Sequence, residues 1–198
     1  MHVFNIPLII ETVGVIGVAG IIFAESGLFF GFFLPGDSLL FTAGLLASQG
    51  YGHIGMYLFL CFVAAVLGDN VGYATGRKMG HYLFAKQDSF FFKKAYLIQT
   101  EEFFSKYGKK SIIFARFMPV VRTFTPILAG AGKMDYKTFL TFNIIGGFLW
   151  TFVLLLLGYF LGNTVPGIEK HLGIILIFIV VLSFTPSVLE IIRYTYKK

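Results

Sequence analysis

Long apolar stretches alternate with short polar segments along the chain, and two of the stretches are interrupted near their centres. An apolar stretch extends from Ile6 to about Ala24, and the next, from Glu25 to Ser48, is broken by Pro35-Gly36-Asp37. A straight membrane-spanning helix needs about 20 predominantly apolar residues, so 25–48 predicts a re-entrant hairpin that turns at Pro35-Gly36. Such backbone is tolerated at membrane depth only inside protein or beside a wet cavity.

The second half of the chain has the same arrangement, because the stretch at 111–132 is interrupted by Pro119 and Pro126. It therefore predicts a second hairpin. The other predicted elements are a spanning helix over 53–75 that ends at Gly76, a basic amphipathic segment over 77–110, spanning helices over 138–161 and 171–192, and a basic tail over 193–198.

Glycine positions indicate an internal repeat. A displacement of 86 residues, the separation of Gly44 from Gly130, also aligns Gly72-Tyr73 with Gly158-Tyr159 and Phe62 with Phe148. Each half then reads as a hairpin followed by a spanning helix that ends in Gly-Tyr-x-x-Gly. The prediction is an all-α integral membrane protein, a polytopic bundle with two re-entrant hairpins in an inverted repeat. Inverted repeats place substrate at their interface near the bilayer midplane.

Composition agrees with this fold class, since 57% of the residues are apolar and only 13% are charged, against about 25% charged in soluble domains. We expect a single domain, 1–198, with a first half over 1–76, the basic segment over 77–110, a second half over 111–162, and a last span with its tail over 163–198. The N-terminus lacks the basic region of a cleaved signal peptide, so the first apolar segment is expected to be retained.

The net charge of +6 is concentrated between the apolar segments. In a membrane protein this pattern predicts cytoplasmic loops rather than nucleic-acid binding. We therefore place 77–110 and the C-terminal tail in the cytoplasm and the 162–170 loop outside. The single cysteine, Cys61, is read as a buried core residue.

Two arginines lie inside the second interrupted stretch. Arg116 and Arg122 flank Pro119, and charges at membrane depth are functional suspects because they cost a few kcal/mol. Guanidinium groups match phosphate oxygens bidentately, and a half-helix beginning at Pro119 would add N–H donors for an anion. The alternative is that both arginines pair with the acids of the first hairpin, and the two readings are compatible if the pairs open to admit an anion.

Two carboxylates, Glu25 and Asp37, lie in the first interrupted stretch. A carboxylate whose surroundings alternate can bind and release a proton in step with substrate, so both are predicted to handle protons or gate the site. Asp37 has a second interpretation as the N-cap of the half-helix after Pro35-Gly36. Glu25 has no such local alternative.

Other polar residues are assigned supporting roles. Asp69 is predicted to pair with Arg77 or to line the cytoplasmic vestibule, and Asn143 to bond across to a hairpin as amides do in membrane helices. Thr123 follows Arg122 directly. No nucleotide loop, metal cluster or catalytic triad is evident, so neither a cofactor nor an enzyme activity is predicted.

At these residues the chain resembles the DedA family of membrane proteins, also described as SNARE-associated or VTT-domain proteins, over roughly Glu11 to Gly162. The segments that carry the resemblance are Phe23-Ala24-Glu25, Leu34-Pro35-Gly36-Asp37, Gly68-Asp69, Gly76-Arg77-x-x-Gly80, Phe103-Phe104-x-Lys106-Tyr107-Gly108, and Ala115-Arg116-Phe117-Met118-Pro119-x-x-Arg122-Thr123 followed by Ala129-Gly130. Pro126 departs from the expected pattern.

The resemblance implies a protein of the bacterial cytoplasmic membrane that returns undecaprenyl phosphate, a lipid carrier, across the bilayer with coupling to the proton gradient. It also implies that Glu25, Asp37, Arg116 and Arg122 are required. The rival interpretations are a proton-coupled cation or drug antiporter, a phospholipid scramblase and a scaffold without transport. The expected partners are a polyprenyl phosphate or another anionic lipid and the bilayer itself, with self-association left open.

Overall fold

The structure, a computed structural model, describes residues 6–28, 35–85 and 108–165, and every regular element in these ranges is a helix. Residues 29–34, the 86–107 part of the basic segment, and the predicted last span and tail beyond 165 lie outside the described residues. The helices are α1 (Ile6–Gly27), α2 (Gly36–Ser48), α3 (Ile54–Ala85), α4 (Ser111–Ala115), α5 (Pro119–Ala131) and α6 (Tyr136–Thr164), with a 3₁₀ turn at Gly108–Lys110 before α4.

Two of these helices, α3 and α6, are long and apolar enough to cross a membrane. Their apolar windows, Ile54–Met79 and Tyr136–Thr164, have mean hydropathies of 1.8 and 2.2. Both predicted spans within these ranges are confirmed as helices capable of crossing a membrane, but the predicted end of the first at Gly76 is wrong, because α3 continues to Ala85. Gly76 is a packing position instead, since a side chain there would collide with the backbone carbonyl of Ile127.

The first helix is divided by a kink. Gly14 has φ of 62° and ψ of −167° within α1, a conformation that glycine adopts readily because it has no Cβ. The part that follows, Val13–Gly27, is apolar but shorter than a span. Glu25 lies in the last turn of α1 rather than at the start of a new segment.

The predicted interruption of the second stretch at Pro119 is present, whereas the break predicted at Pro126 is wrong, because Pro126 lies inside α5. Helix α4 ends at Ala115 and α5 begins at Pro119. Met118 between them is extended, with φ of −121° and ψ of 107°, as expected of a residue before proline. In the first half α2 begins directly after Pro35.

The helices pack crosswise between the two halves of the chain: α2 lies mainly against α6, and α5 mainly against α3. A core of apolar side chains from α1, α2, α3 and α6 is almost fully buried, with Val18, Leu40, Cys61 and Leu155 at 0% exposure. Large apolar side chains also face outward from α1, α3 and α6, among them Ile16, Phe59, Leu67 and Phe160. This distribution is that of a bundle whose outer surface contacts lipid.

Candidate functional site

Arg122 is the centre of a buried ion-pair cluster. It lies in the first turns of α5, and its Nη1 donates to Asp37 Oδ1 at 2.8 Å while its Nη2 donates to Glu25 Oε1. The exposed fractions of the Arg122, Asp37 and Glu25 side chains are 12%, 13% and 1%. The predicted pairing of Arg122 with both acids is therefore confirmed, and its fork joins the end of α1 to the start of α2.

Glu25 also supports the beginning of α2. Its Oε1 accepts a hydrogen bond of 3.2 Å from the backbone N–H of Gly36, one of the N–H groups that a helix leaves without a partner. The residue before α2, Pro35, makes no side-chain cap. The prediction that Asp37 caps this helix is wrong, because its carboxylate faces Arg122 and Trp150 instead and the capping contact comes from Glu25.

Trp150 of α6 connects the two halves of the cluster. Its indole Nε1 donates to Asp37 Oδ1 at 2.8 Å. Its ring lies 5.2 Å from the guanidinium carbon of Arg122 and 5.9 Å from that of Arg116, within the distance at which a cation is attracted to an aromatic face. The sequence reading missed this residue. The signal was available, since Trp150 is the only tryptophan and lies within a spanning helix.

Arg116 forms a second ion pair beside the first. It follows α4 directly, is 5% exposed, and its Nη2 contacts Asp69 Oδ2 at 2.5 Å and also Asn143 Oδ1. Asn143 in turn donates from Nδ2 to the carbonyl of Val66 at 3.1 Å. Through Arg116, Asn143 bonds to the stretch 111–132 that the sequence predicts as the second hairpin. The prediction that Arg116 pairs with Glu25 or Asp37 is wrong, because the nearer carboxylate belongs to α3.

Arg77 does not take the partner predicted for it. Its Nη1 donates to the Tyr73 hydroxyl at 2.8 Å, whereas Asp69 lies against Arg116. Asp69 and Arg77 are two helical turns apart on α3, which is too far for a direct i,i+4 pair. The predicted pairing of Asp69 with Arg77 is therefore wrong, and Asp69 belongs to the central cluster.

Glycines make room for these side chains. A Cβ on Gly146 would lie 3.1 Å from Arg116 Cδ, and one on Gly147 would lie 3.6 Å from its Cζ. On the other side of the cluster, a Cβ on Gly27 would lie 2.9 Å from the Gly68 carbonyl oxygen. Helices in membranes approach closely at small residues, and here the close approach brings α1 and α6 up to the residues that carry charge.

A small polar cavity of about 10 Å³ lies between the two ion pairs, lined by Glu25, Ser26, Asp69, Arg116, Arg122, Thr123 and Trp150. Three buried polar atoms of these residues have no hydrogen-bond partner, namely Glu25 Oε2, Arg116 Nε and Thr123 Oγ1. A polar cavity of this size accommodates one water molecule. The two ion pairs thus form one continuous polar cluster, in which Thr123 offers a hydroxyl.

The cluster contains more acid than base. Two arginines face three carboxylates, those of Glu25, Asp37 and Asp69. With every group ionised the cluster carries one excess negative charge, and a single proton neutralises it. Removal of one partner from such a group is costly because it leaves the other charge buried and unpaired.

Comparison with known proteins identifies the class of molecule. The model of the VTT domain matches residues 34–160. The chain is 44% identical to Protein DedA of Escherichia coli over 176 residues, which are 88% of this chain and 80% of that protein. It is 47% identical to the uncharacterized membrane protein ML0287 of Mycobacterium leprae over 85% of this chain and 75% of the relative. The chain belongs to the DedA family.

More distant members are also similar. Inner membrane protein YqjA of E. coli is 36% identical over 144 residues, 73% of this chain and 66% of that protein. No solved structure matches the chain significantly. These relatives are membrane proteins by name, and this DedA-family chain is accordingly a membrane protein.

The matched domain includes most of the central cluster of this DedA-family protein. Asp37, Asp69, Arg116, Arg122 and Trp150 all fall within 34–160, whereas Glu25 lies before it. The segment of α1 that carries Glu25 is nevertheless bonded to the domain through Arg122 and Gly36. The cluster is thus completed by a helix that precedes the matched domain.

Proposed function

We propose that this chain is a flippase that returns undecaprenyl phosphate, or another polyprenyl phosphate, across the bacterial cytoplasmic membrane with coupling to the proton gradient. The observation that carries the proposal is the burial of Arg116 and Arg122 between helices of a membrane protein, each held by carboxylates. A guanidinium fork binds phosphate oxygens as it binds carboxylate oxygens. The acids occupy the guanidinium positions that a phosphate headgroup would take.

Charge balance supports coupling to protons. A phosphate that enters a cluster already carrying an excess carboxylate adds further negative charge, which is costly at membrane depth. Protonation of Glu25 and Asp37 removes that cost and at the same time releases Arg122 to the headgroup. Binding of the anion and uptake of protons therefore favour one another, as coupled transport requires.

The proposal includes an inverted repeat, which would provide alternating access. The end of α1 with α2 forms one re-entrant hairpin in this proposal, and α4 with α5 forms the other, so that the acids lie near one tip and the arginines near the other. Phe62 and Phe148, which the 86-residue displacement aligns, pack against each other with ring centroids 6.2 Å apart. Contact between equivalent residues is the expected signature of a local two-fold axis.

The two crossed interfaces use equivalent glycines but differ by one helical turn. Gly44 lies against the carbonyl of Leu155 and Gly158 against that of Phe41. In the other half Gly130, the equivalent of Gly44, lies against the carbonyl of Tyr73, which is four residues further along its helix than the equivalent of Leu155. In the proposed transport cycle, the α2–α6 and α5–α3 interfaces exchange their registers, which inverts the asymmetry between the two halves. The site then opens to the opposite side of the membrane, since repeats of this kind rock against each other.

Reconstitution tests the proposal. Purified protein in liposomes should move a fluorescent polyprenyl phosphate between leaflets, and an inwardly directed proton gradient should accelerate the movement. Replacement of Arg122 by Gln should abolish transport, while Lys137→Gln, an exposed position, should not. Lipid movement equal to that of protein-free vesicles would overturn the proposal.

A proton-coupled cation or drug antiporter is the second candidate, favoured by the excess of carboxylates over arginines in the cluster. In that function the acids would bind the substrate and the arginines would only hold the helices together. The same liposomes loaded with a pH-sensitive dye distinguish the two, because cation-dependent proton flux without lipid movement indicates the antiporter. Lipid movement that is independent of the gradient would instead indicate a scramblase.

A further inference from the structure

A second cavity lies away from the central cluster, where α3 passes the turn between α5 and α6. Its volume is about 550 Å³, and it is lined by Tyr73, Arg77, Lys133, Asp135 and Tyr136. Tyr136 is the first residue of α6, a helix long and apolar enough to cross a membrane, and Lys133 and Asp135 lie in the turn just before it, so the cavity lies at one end of a membrane-capable helix. The positive-inside rule predicts this end to be cytoplasmic.

Tyr73 forms the floor of the cavity and is held by ring stacking and hydrogen bonds. The Tyr73 ring stacks on Phe139 with centroids 4.5 Å apart, and its hydroxyl donates to the carbonyl of Met134 at 2.5 Å. The same hydroxyl accepts the hydrogen bond from Arg77 Nη1. One edge of the guanidinium group is thus fixed to the floor.

The cavity is lined by two cationic side chains and one carboxylate, and the hydrogen bonds of the carboxylate come from Thr138 and not from either cation. Asp135 Oδ2 accepts hydrogen bonds from the Thr138 N–H at 2.9 Å and the Thr138 hydroxyl at 3.1 Å. These bonds lower the pKa of Asp135, so the group stays ionised as the cap of α6. Among the described residues neither Arg77 nor Lys133 forms a salt bridge. The cavity therefore keeps a net positive charge.

We infer that this cavity binds the phosphate headgroup of an anionic lipid at the membrane surface, as a site separate from the central cluster. An Arg–Lys pair between membrane helices, with two tyrosines at headgroup depth, has the chemistry that recognises lipid phosphate. A further role of this cavity, delivery of the lipid to the central cluster, rests on the proposed function. Arg77 is eight residues beyond Asp69, or about 12 Å along α3.

The chain offers this cationic site in only one of its two halves. The position equivalent to Arg77 after the second Gly-Tyr-x-x-Gly motif is Asn163, which has no charge and whose side chain donates to the carbonyl of Tyr159. If a cation at this position served only to mark the end of a membrane span, the equivalent position in the other half would be expected to carry a cation too. A cation on one side alone suits a lipid that is bound at one membrane surface.

Native mass spectrometry of the full chain in a neutral detergent tests the inference, with dodecyl phosphate as the probe. We expect two bound molecules per chain in the wild type, and the double variant Arg77→Gln/Lys133→Gln should weaken one of them by roughly 30-fold, given about 1 kcal/mol for each cation near a lipid surface. Lys137→Gln is the matched control, since it removes one exposed charge beside the cavity.

The fluorescence of Trp150 distinguishes binding at the central cluster from binding at this cavity. As the only tryptophan, Trp150 reports occupancy of the central cluster by its emission, and that titration should be unchanged in the double variant. Equal binding by the double variant and the wild type would overturn the inference, as would an equal loss in Lys137→Gln, which indicates nonspecific attraction. Inorganic phosphate that binds as tightly as dodecyl phosphate would overturn the assignment to lipid.

The outcome for this site is distinguishable from the outcome for the proposed function. Loss of one bound dodecyl phosphate in the double variant supports the headgroup site even if liposomes show no lipid movement. Transport of polyprenyl phosphate with unchanged probe binding in the double variant retains the flippase and rejects the site.

Discussion

At the scale of single residues, Arg122 makes the decisive contacts. Its two terminal nitrogens reach different carboxylates, one on α1 and one on α2. A lysine supplies the same charge from a single nitrogen and lacks the planar fork. The geometry, and not only the charge, therefore holds the two helices to α5.

Replacement of Arg122 by Lys should lower transport of polyprenyl phosphate at least about tenfold, because one charge-assisted hydrogen bond to the headgroup is lost. The protein should still be folded, as judged by a single peak in size-exclusion chromatography. Lys110→Arg, an exposed change of the opposite kind, provides the control. Unchanged transport in Arg122→Lys would argue against bidentate phosphate binding.

Trp150 combines a hydrogen bond with an aromatic face, and two variants separate these contributions. Trp150→Phe keeps a ring near both guanidinium groups but loses the bond to Asp37, at a cost of about 1.5–3 kcal/mol for a bond to a charged group. Trp150→Leu should lose roughly 1 kcal/mol more through the cation–π contacts. Thermal unfolding in detergent measures both, and equal stability of the two variants would exclude a contribution from the ring.

At the scale of helices, the one-turn difference between the crossed interfaces is the feature with the clearest mechanical meaning. Helices in bistable interfaces move past one another by whole turns, about 5.4 Å, because intermediate registers pack poorly. In the described state Gly162 lies beside Ser48 of α2, and a Cβ on the glycine would be 3.1 Å from Ser48 Cβ. This pair reports the register of α2 on α6.

A disulfide between cysteines at these two positions should lock the register and stop transport. The variant is Ser48→Cys/Gly162→Cys in a Cys61→Ala background, which removes the only native cysteine. Oxidation should reduce lipid movement to the level of empty vesicles, and a reductant should restore it. Full transport by completely cross-linked protein would show that this interface does not slide, and Ser48→Cys alone controls for the oxidant.

At the scale of the whole molecule, the balance of charge links proton and headgroup. If the excess carboxylate carries the coupled proton, Glu25→Gln removes the response of transport to a pH gradient while some lipid movement persists. Lipid flux in liposomes with and without the gradient measures this response. Lys137→Gln, an exposed change outside the cluster, should respond like the wild type, and an undiminished response in Glu25→Gln would assign the proton elsewhere.

The elements themselves were largely predictable, because hydropathy and helix breakers act locally. The spans of α3 and α6 and the break before Pro119 follow from the sequence pattern, as does the start of α2 after Pro35. The prediction that α3 ends at Gly76 is wrong because Gly76 has the sequence pattern of a helix end. In the structure it is a point of contact with α5, which only the packing of a distant segment reveals.

The charged residues of the site were also visible in the sequence, since ionisable groups in apolar stretches stand out. Their pairing was not. Asp69 joined Arg116 rather than Arg77, and Glu25 rather than Asp37 met the first N–H of α2. These partners lie 47 and 11 residues apart, so neither pairing follows from local helix geometry.

The sequence by itself determined that this chain is a membrane protein of the DedA family with arginines and acids inside its apolar stretches, because an apolar composition indicates the membrane and the order of the residues carries the family resemblance. The tertiary structure alone decided which acid pairs with which arginine, that Trp150 lies beside both arginines, and in which register each helix packs against its partner. Those facts depend on distances between segments far apart in the chain, which side-chain packing sets.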